Sequence, residues 1–325
     1  MTHEIPVIYI ASSPFSGSTL LAFLLNNHPE VTTAGHTTGW SGLTPMFPCS
    51  CGASVSDCPF FNAIERAFEA EGLSFGYEGH FPTRYAISSH ERLNQLVFDN
   101  LPRIGTSRLE YMRDWFVQQL PAIRRRIEGV DRANRIFMRA ALAYAGARLY
   151  VDNSHSPYRC RRLARAGGFQ VYPVHLVKDP RGVVLSATEA YGWSVGYAAT
   201  HWMRVQAQIV RVLQGTQSGA SPGSGYRDLV LSYEALCDRP VEATKPVLSA
   251  AGLSPLPLTE DFKAGEHHIL GNQMRLGSGR ISKSERWQRD LKTAEQAEIK
   301  DRCWTYAAAS PWRRELEALL EVSLA

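Results

Sequence analysis

Four times along the chain a short apolar, β-branched run gives way to a polar turn and then to a helical pattern. Val7–Ala11 is followed by Ser12-Ser13-Pro14-Phe15-Ser16-Gly17-Ser18-Thr19, then by Leu20, Leu21, Phe23, Leu24 and Leu25 at helical spacing. Asn26-Asn27-His28-Pro29 ends that helix, because proline cannot continue it and asparagine tolerates a left-handed cap. Ala147–Val151 runs into an Asp152-Asn153-Ser154 turn. Val171–Val177 runs into Lys178-Asp179-Pro180-Arg181-Gly182 and a helix reaching Tyr191, and Leu229–Ser232 into a helix containing Leu236. Uninterrupted apolar strands alternating with helices predict an α/β fold with a P-loop-type central parallel sheet flanked by helices. Ligands of such sheets sit at the carboxyl ends of the strands. The polar turns are therefore where functional residues are expected.

Between Thr37 and Gly146 the pattern changes to clustered aromatics and helical stretches such as Leu109–Ile127. We read residues 37–146 as a mostly helical, aromatic-rich insertion on the acceptor side of a single domain spanning 1–325. Flat rings suit an apolar or sugar-stacking pocket as well as a core. Thr216–Tyr226, rich in Gly and Ser, is expected to be a mobile surface loop.

With 44% hydrophobic residues and a net charge of +4, intrinsic disorder is excluded and nucleic acid is not the expected partner. The 35 basic residues include only six Lys; Arg suits phosphate and sulfate, though genomic base composition gives the same bias. No run of 18 apolar residues predicts a membrane span, and the longest apolar stretch, 138–151, is broken by Arg139 and Arg148. Ile5–Ala11 has no preceding Lys or Arg, unlike a signal-peptide core. Cysteines at 49, 51, 58, 160, 237 and 303 do not form the even framework of a secreted domain, so a cytoplasmic, reduced protein is expected.

Three stretches carry chemistry. Ser13–Thr19 feeds a helix N-terminus, where converging backbone N–H groups and the helix dipole favour an anion. A nucleoside-triphosphate loop places Lys after its second Gly; here Gly17 is followed by Ser18, which disfavours an ordinary ATP-dependent kinase. His175–Ser186 delivers Lys178 and Arg181 to a strand end with Ser186 about a turn beyond. That set suits a second phosphate; the plainer reading is a charged turn with Asp179 capping the helix. Gly271-Asn272-Gln273-Met274-Arg275-Leu276-Gly277, continuing to Trp287, is either a loop that folds over a ligand or an ordinary surface loop.

Taken together these stretches resemble the sulfotransferase family that uses 3′-phosphoadenosine 5′-phosphosulfate (PAPS), particularly its bacterial and carbohydrate-type members. Ser-Pro-Phe-Ser-Gly-Ser-Thr-Leu-Leu is similar to the family's 5′-phosphosulfate loop, and Lys-Asp-Pro-Arg-Gly-Val-Val-Leu-Ser to its 3′-phosphate motif. Val230–Leu236 resembles the strand whose Tyr-Glu lies near adenine, and Gly-Asn-Gln-Met-Arg with Arg286-Trp287 the loop that closes on the nucleotide. The resemblance implies that Ser16, Gly17, Ser18, Thr19 and Leu20 hold the 5′-phosphosulfate through backbone N–H groups. It implies that Lys178 and Ser186 hold the 3′-phosphate, that Arg275 and Gly277 approach it, and that Tyr233 lies against adenine. Many relatives carry a cation where this chain has Phe15, and Arg where it has Lys178.

The implied reaction is in-line sulfuryl transfer to the hydroxyl of a carbohydrate, glycolipid or other small metabolite, leaving adenosine 3′,5′-bisphosphate. The transferring group is monoanionic, so no metal is required. A general base is required, and His36 in Thr33-Ala34-Gly35-His36 is the first candidate, with Asp152 and His155 the second group. Cys49, Cys51 and Cys58 read as reduced packing cysteines or a local disulfide, with zinc, completed by His36 or another His, the less favoured alternative. The competing functions are a P-loop small-molecule kinase using ATP and a catalytically silent nucleotide-binding protein on the same scaffold.

Overall fold

The computed structural model describes residues 4–99, 107–214, 230–255, 261–277 and 279–324. Strands β1 (Ile5–Ser12), β2 (Val31–Thr33), β3 (Leu149–His155), β4 (Phe169–Val177) and β5 (Val230–Ser232) form one sheet in the order β2-β3-β1-β4-β5. Every adjacent pair is parallel. Helices follow as α1 (Ser18–Leu25), α2 (Pro59–Ala70), α3 (Glu91–Phe98), α4 (Ser107–Gln119), α5 (Pro121–Ala145), α6 (Pro157–Arg165) and α7 (Pro180–Tyr191). The chain continues through α8 (Val195–Gln214), α9 (Tyr233–Asp238), α10 (Pro240–Ala250), α11 (Trp287–Asp290), α12 (Thr293–Ala309) and α13 (Arg313–Ser323).

The central strand explains why the sequence shows unbroken apolar runs. In β1, Val7, Tyr9 and Ala11 enter one core while Ile8 and Ile10 enter the other, and all five are fully buried. The second core is closed by α1, α9 and α10 through Leu20–Leu25, Leu236 and Leu248. The first is closed by α5 to α8, α12 and α13, and it continues without a break into α2. Phe60, Phe61, Phe68, Phe75 and Phe81 are buried in that shared core, so the insertion packs onto the sheet rather than standing apart.

Several local expectations change. The stretch 109–127 is two helices, because Leu120 is extended and Pro121 starts α5 at a position where its missing N–H costs nothing. Asp152-Asn153-Ser154 is strand rather than turn, since β3 runs on to His155. Asn26 closes α1 in a right-handed conformation, φ −72°, not a left-handed one. Segment 216–226 and Leu229 lie outside the described residues.

Part of the arginine excess has a structural use. Helix α6 buries Arg159, Arg161 and Arg162. Glu110 and Asp114 of α4, each under 5% exposed, receive Arg161 and Arg211, and Arg113, Arg161, Arg162 and Arg165, respectively. Planar guanidinium forks let several cations share one carboxylate in a way lysine cannot. Removing one partner strands buried charge, so Asp114→Ala is expected to destabilise the fold by about 3–5 kcal/mol in urea denaturation.

Candidate active site

The loop after β1 is built for an anion. Gly17 precedes α1 in the left-handed region, φ 87°, and the helix has neither a capping side chain nor an acidic residue in its first turn. Its leading N–H groups are thus left for a ligand, and the dipole favours negative charge there. Ser13 and Ser16 share a 2.7 Å hydrogen bond that braces the loop. Among the described residues, two non-glycines have positive φ, Phe15 and His155, both 64°. Both lie at carboxyl ends of adjacent strands, where strained backbone commonly marks a functional site. The Phe15 ring rests against Tyr191 with centroids 5.6 Å apart, leaving no side-chain cation at that point of the loop.

The neighbouring strand ends close on the same loop. A methyl group on Gly17 would lie 2.4 Å from the Tyr233 ring, so glycine is required for the ring's approach as well as for φ. Lys178 Nζ sits 4.4 Å from the centroid of that ring. Lys178 is buried and forms no ion pair among the described residues; burial lowers its pKa, opposed by Glu234. The Tyr233 hydroxyl donates to the Ser282 carbonyl at 3.4 Å and accepts from Ser284 N at 3.2 Å, tying in the loop that leads to Trp287. Trp287 lies under the Arg181 guanidinium at 3.7 Å, while Arg181 also pairs with Asp179, which caps α7. Ser186 donates to the Gly182 carbonyl one turn back.

Arg275 takes a different place. Its guanidinium is 2% exposed, donates to the carbonyls of Pro48, Gly271 and Asn272, and stacks on Phe47 at 4.5 Å. Gly277 accepts from Lys263 Nζ. Both residues therefore belong to a loop anchored on 47–48, apart from the Lys178–Tyr233 contact.

The ends of β2 and β3 supply the candidate bases. Residues 34–36 pair with 269–271: Leu270 N donates to Ala34 O at 3.0 Å and His36 N to Leu270 O at 3.3 Å. A methyl group on Gly35, φ 70°, would fall 2.1 Å from Leu270 O, so this pairing depends on glycine. It sets Gly271 against both Thr19 and His36. The His36 ring lies 5.0 Å from that of His155, whose Nδ1 bonds Ser12 Oγ at 2.7 Å. Burial lowers the pKa of His36, opposed by nearby Asp152. Burial pushes His155 down to about 3, helped by His36. Both rings are therefore neutral near pH 7, and burial leaves His155 a weak proton acceptor. Asp152 is committed elsewhere: fully buried, it takes Arg159 Nε and Nη2 on one oxygen and Ser154 N on the other. Asn153 is fully buried beside it with neither amide atom hydrogen-bonded.

Cys49, Cys51 and Cys58 are not joined in a disulfide; they gather with His268, not His36, their four ligand atoms lying within 4.8 Å of one another. Sequence reasoning missed His268 and also Arg159, the partner that occupies Asp152. The His267-His268 pair just before the Gly271 loop was the available signal for the first. Arg159 gave none, being one of many arginines.

No family model matches the chain, and no curated protein matches its sequence. Among solved structures it resembles the sulfotransferase domain of a Synechococcus olefin synthase, at 17% identity and TM-score 0.43, over 100% of this chain and 96% of that one. It also resembles the sulfotransferase domain of the curacin biosynthetic pathway, at 15% identity and TM-score 0.42, over 98% and 97%. A Mycobacterium avium sulfotransferase follows at 10% identity and TM-score 0.37, over 99% and 75%.

His155 gives a test of this geometry. Its pKa falls from 6.5 to about 3 on folding, so between those values the unfolded chain binds the extra proton and stability drops as pH falls. His155→Asn keeps a residue tolerant of positive φ and removes the titration. Its unfolding free energy in urea should decline less than the wild type's between pH 6.5 and 4. Equal declines would show that His155 is not buried in its neutral form.

Proposed function

We propose that this chain is a PAPS-dependent sulfotransferase acting on a hydroxyl of a carbohydrate, glycolipid or other small metabolite. The observation that carries the reading is Lys178, a buried cation without an ion pair among the described residues, lying against the same Tyr233 ring that packs on Gly17. A helix N-terminus and a buried cation that both contact one aromatic ring suit a nucleotide charged at both its 5′ and 3′ positions. A nucleoside triphosphate has no 3′ charge for Lys178 and would want a cation after Gly17, where Ser18 stands.

In this reading the backbone of Ser16–Leu20 holds the 5′-phosphosulfate, Lys178 and Ser186 hold the 3′-phosphate, and Tyr233 packs on adenine. Arg275, held by the carbonyls of Pro48, Gly271 and Asn272, and Gly277, held by Lys263, brace the neighbouring loop rather than reach the 3′-phosphate in this arrangement. The acceptor oxygen attacks sulfur in line as the bond from sulfur to the bridging phosphate oxygen breaks. Adenosine 3′,5′-bisphosphate departs, and His36 takes the acceptor's proton. Negative charge developing on the leaving oxygen faces the α1 N–H groups, since Phe15 offers none. His155, its basicity reduced by burial, holds its place against Ser12 beside His36; Asp152 contributes by fixing Arg159 and the end of β3.

The insertion is assigned to the acceptor. A cavity of about 210 Å³ opens between Thr38, Arg84 and Phe98 of the insertion, Ser154 of β3, and Arg159 and Arg162 of α6. Its polar wall, which includes Asn94, Asp99 and Ser154, suits a hydroxylated acceptor better than a purely apolar one. A larger cavity of about 530 Å³ is lined by 68–133 alone and holds none of the motif residues. No helix among the described residues is long and apolar enough to cross a membrane. We assign the protein to the cytoplasm, where its six free cysteines would stay reduced.

Adenosine 3′,5′-bisphosphate should raise the melting temperature well above any effect of Mg·ATP, and Lys178→Met should remove most of that gain. A stronger response to Mg·ATP would favour the kinase. Incubation with PAPS and a panel of hydroxylated acceptors should add one sulfuryl group by mass. His36→Asn should reduce that turnover by about 10²–10⁴-fold with bisphosphate binding intact. Binding without turnover on any acceptor would instead mark a silent nucleotide-binding protein.

A further inference from the structure

We propose that Cys49, Cys51, Cys58 and His268 form a closed, structural zinc site that staples the Gly271–Gly277 loop to the insertion. The sulfurs of Cys51 and Cys49 lie 3.7 and 3.8 Å from that of Cys58. A tetrahedral site with Zn–S bonds of about 2.3 Å has sulfur–sulfur edges of about 3.8 Å, so two of the three edges already stand at coordination spacing, with all four ligand atoms within 4.8 Å of one another. His268 Nδ1 lies 3.1 Å from the Cys58 sulfur and completes the fourth corner.

The imidazole is oriented as a metal ligand requires. His268 Nε2 donates to Glu266 Oε1 at 2.8 Å, which leaves the lone pair on Nδ1 facing the sulfurs. Tyr144 donates to the same carboxylate oxygen at 3.0 Å, and Phe60 stacks on the ring with planes 3° apart. A carboxylate behind a histidine is the common outer partner of a zinc-bound imidazole. Cys49, Cys58 and His268 are buried, and thiols are weak donors and acceptors, so without a metal the cluster would bury poorly satisfied groups. Four protein ligands leave no open position, which makes the site structural rather than catalytic.

Its placement gives the consequence. Ser50, between two of the ligands, donates to the His267 carbonyl and accepts from Ile269 N, so the two ligand segments are already laced together. Leu270, two residues past His268, is the partner of 34–36, and Gly271 then meets Thr19 and His36. Arg275 returns to the carbonyl of Pro48, next to Cys49. A metal here fixes both ends of the segment that borders the anion loop and the candidate base. This holds whether or not the nucleotide is PAPS.

Tag-free protein grown with supplemental zinc and dialysed against metal-free buffer should carry about one zinc per chain by elemental analysis. X-ray absorption should report three sulfur neighbours and one nitrogen. Cys51→Ser, at the exposed ligand, and His268→Ala should lose the metal, and His268→Cys should retain it. Folded protein with no metal or with iron, an intact mass two hydrogens light, or full zinc retention in both Cys51→Ser and His268→Ala would overturn the site. Chelation should speed amide exchange in 267–276 while leaving α12 protected; unchanged exchange in 267–276 would overturn the stapling role.

Discussion

The contact between Gly17 and the Tyr233 ring is the constraint on which the candidate site depends. It needs glycine twice, for a left-handed backbone before α1 and for an approach that no side chain would permit. Because Tyr233 begins the helix after β5, Lys178 follows β4 and Gly17 lies in the loop after β1, one ring connects three strand ends. The parallel sheet makes that convergence available, since all of its strands finish on the same side. An anion-binding helix terminus and a buried cation are thereby held at fixed separation, before any ligand arrives.

On the other flank, the pairing of 34–36 with 269–271 does comparable work. It extends the edge beyond β2 by a residue or two and brings a segment from near the end of the chain against the first loop. His36, Thr19 and Gly271 meet there. Two partly buried histidines with depressed pKa values then line the β2 and β3 ends, while Asp152 is paired with Arg159. The bases and the fixed carboxylate are sorted by their partners rather than by residue type.

Much of this was legible in the sequence. The apolar runs of β1, β4 and β5 are buried on both faces, so their composition announced them, and the Ser-rich turn before Leu20 announced the anion loop. Asp179 as a cap was equally readable, because capping is local. Asp152-Asn153-Ser154 misled because polar residues at the end of a strand look like a turn until their partners are known. Asp152 is buried only because Arg159, seven residues on, is folded back to it.

The sequence by itself determined the order of elements, the parallel α/β class and the small-residue turn into α1, because these follow from short-range patterns of burial and backbone freedom. Only the tertiary structure decided what those residues touch. It set Tyr233 on Gly17, turned Arg275 toward Pro48, closed Asp152 with Arg159, and carried His268 across some two hundred positions to three cysteines. Each of these is a contact between segments far apart in the chain, fixed by how the layers pack and invisible to any local pattern.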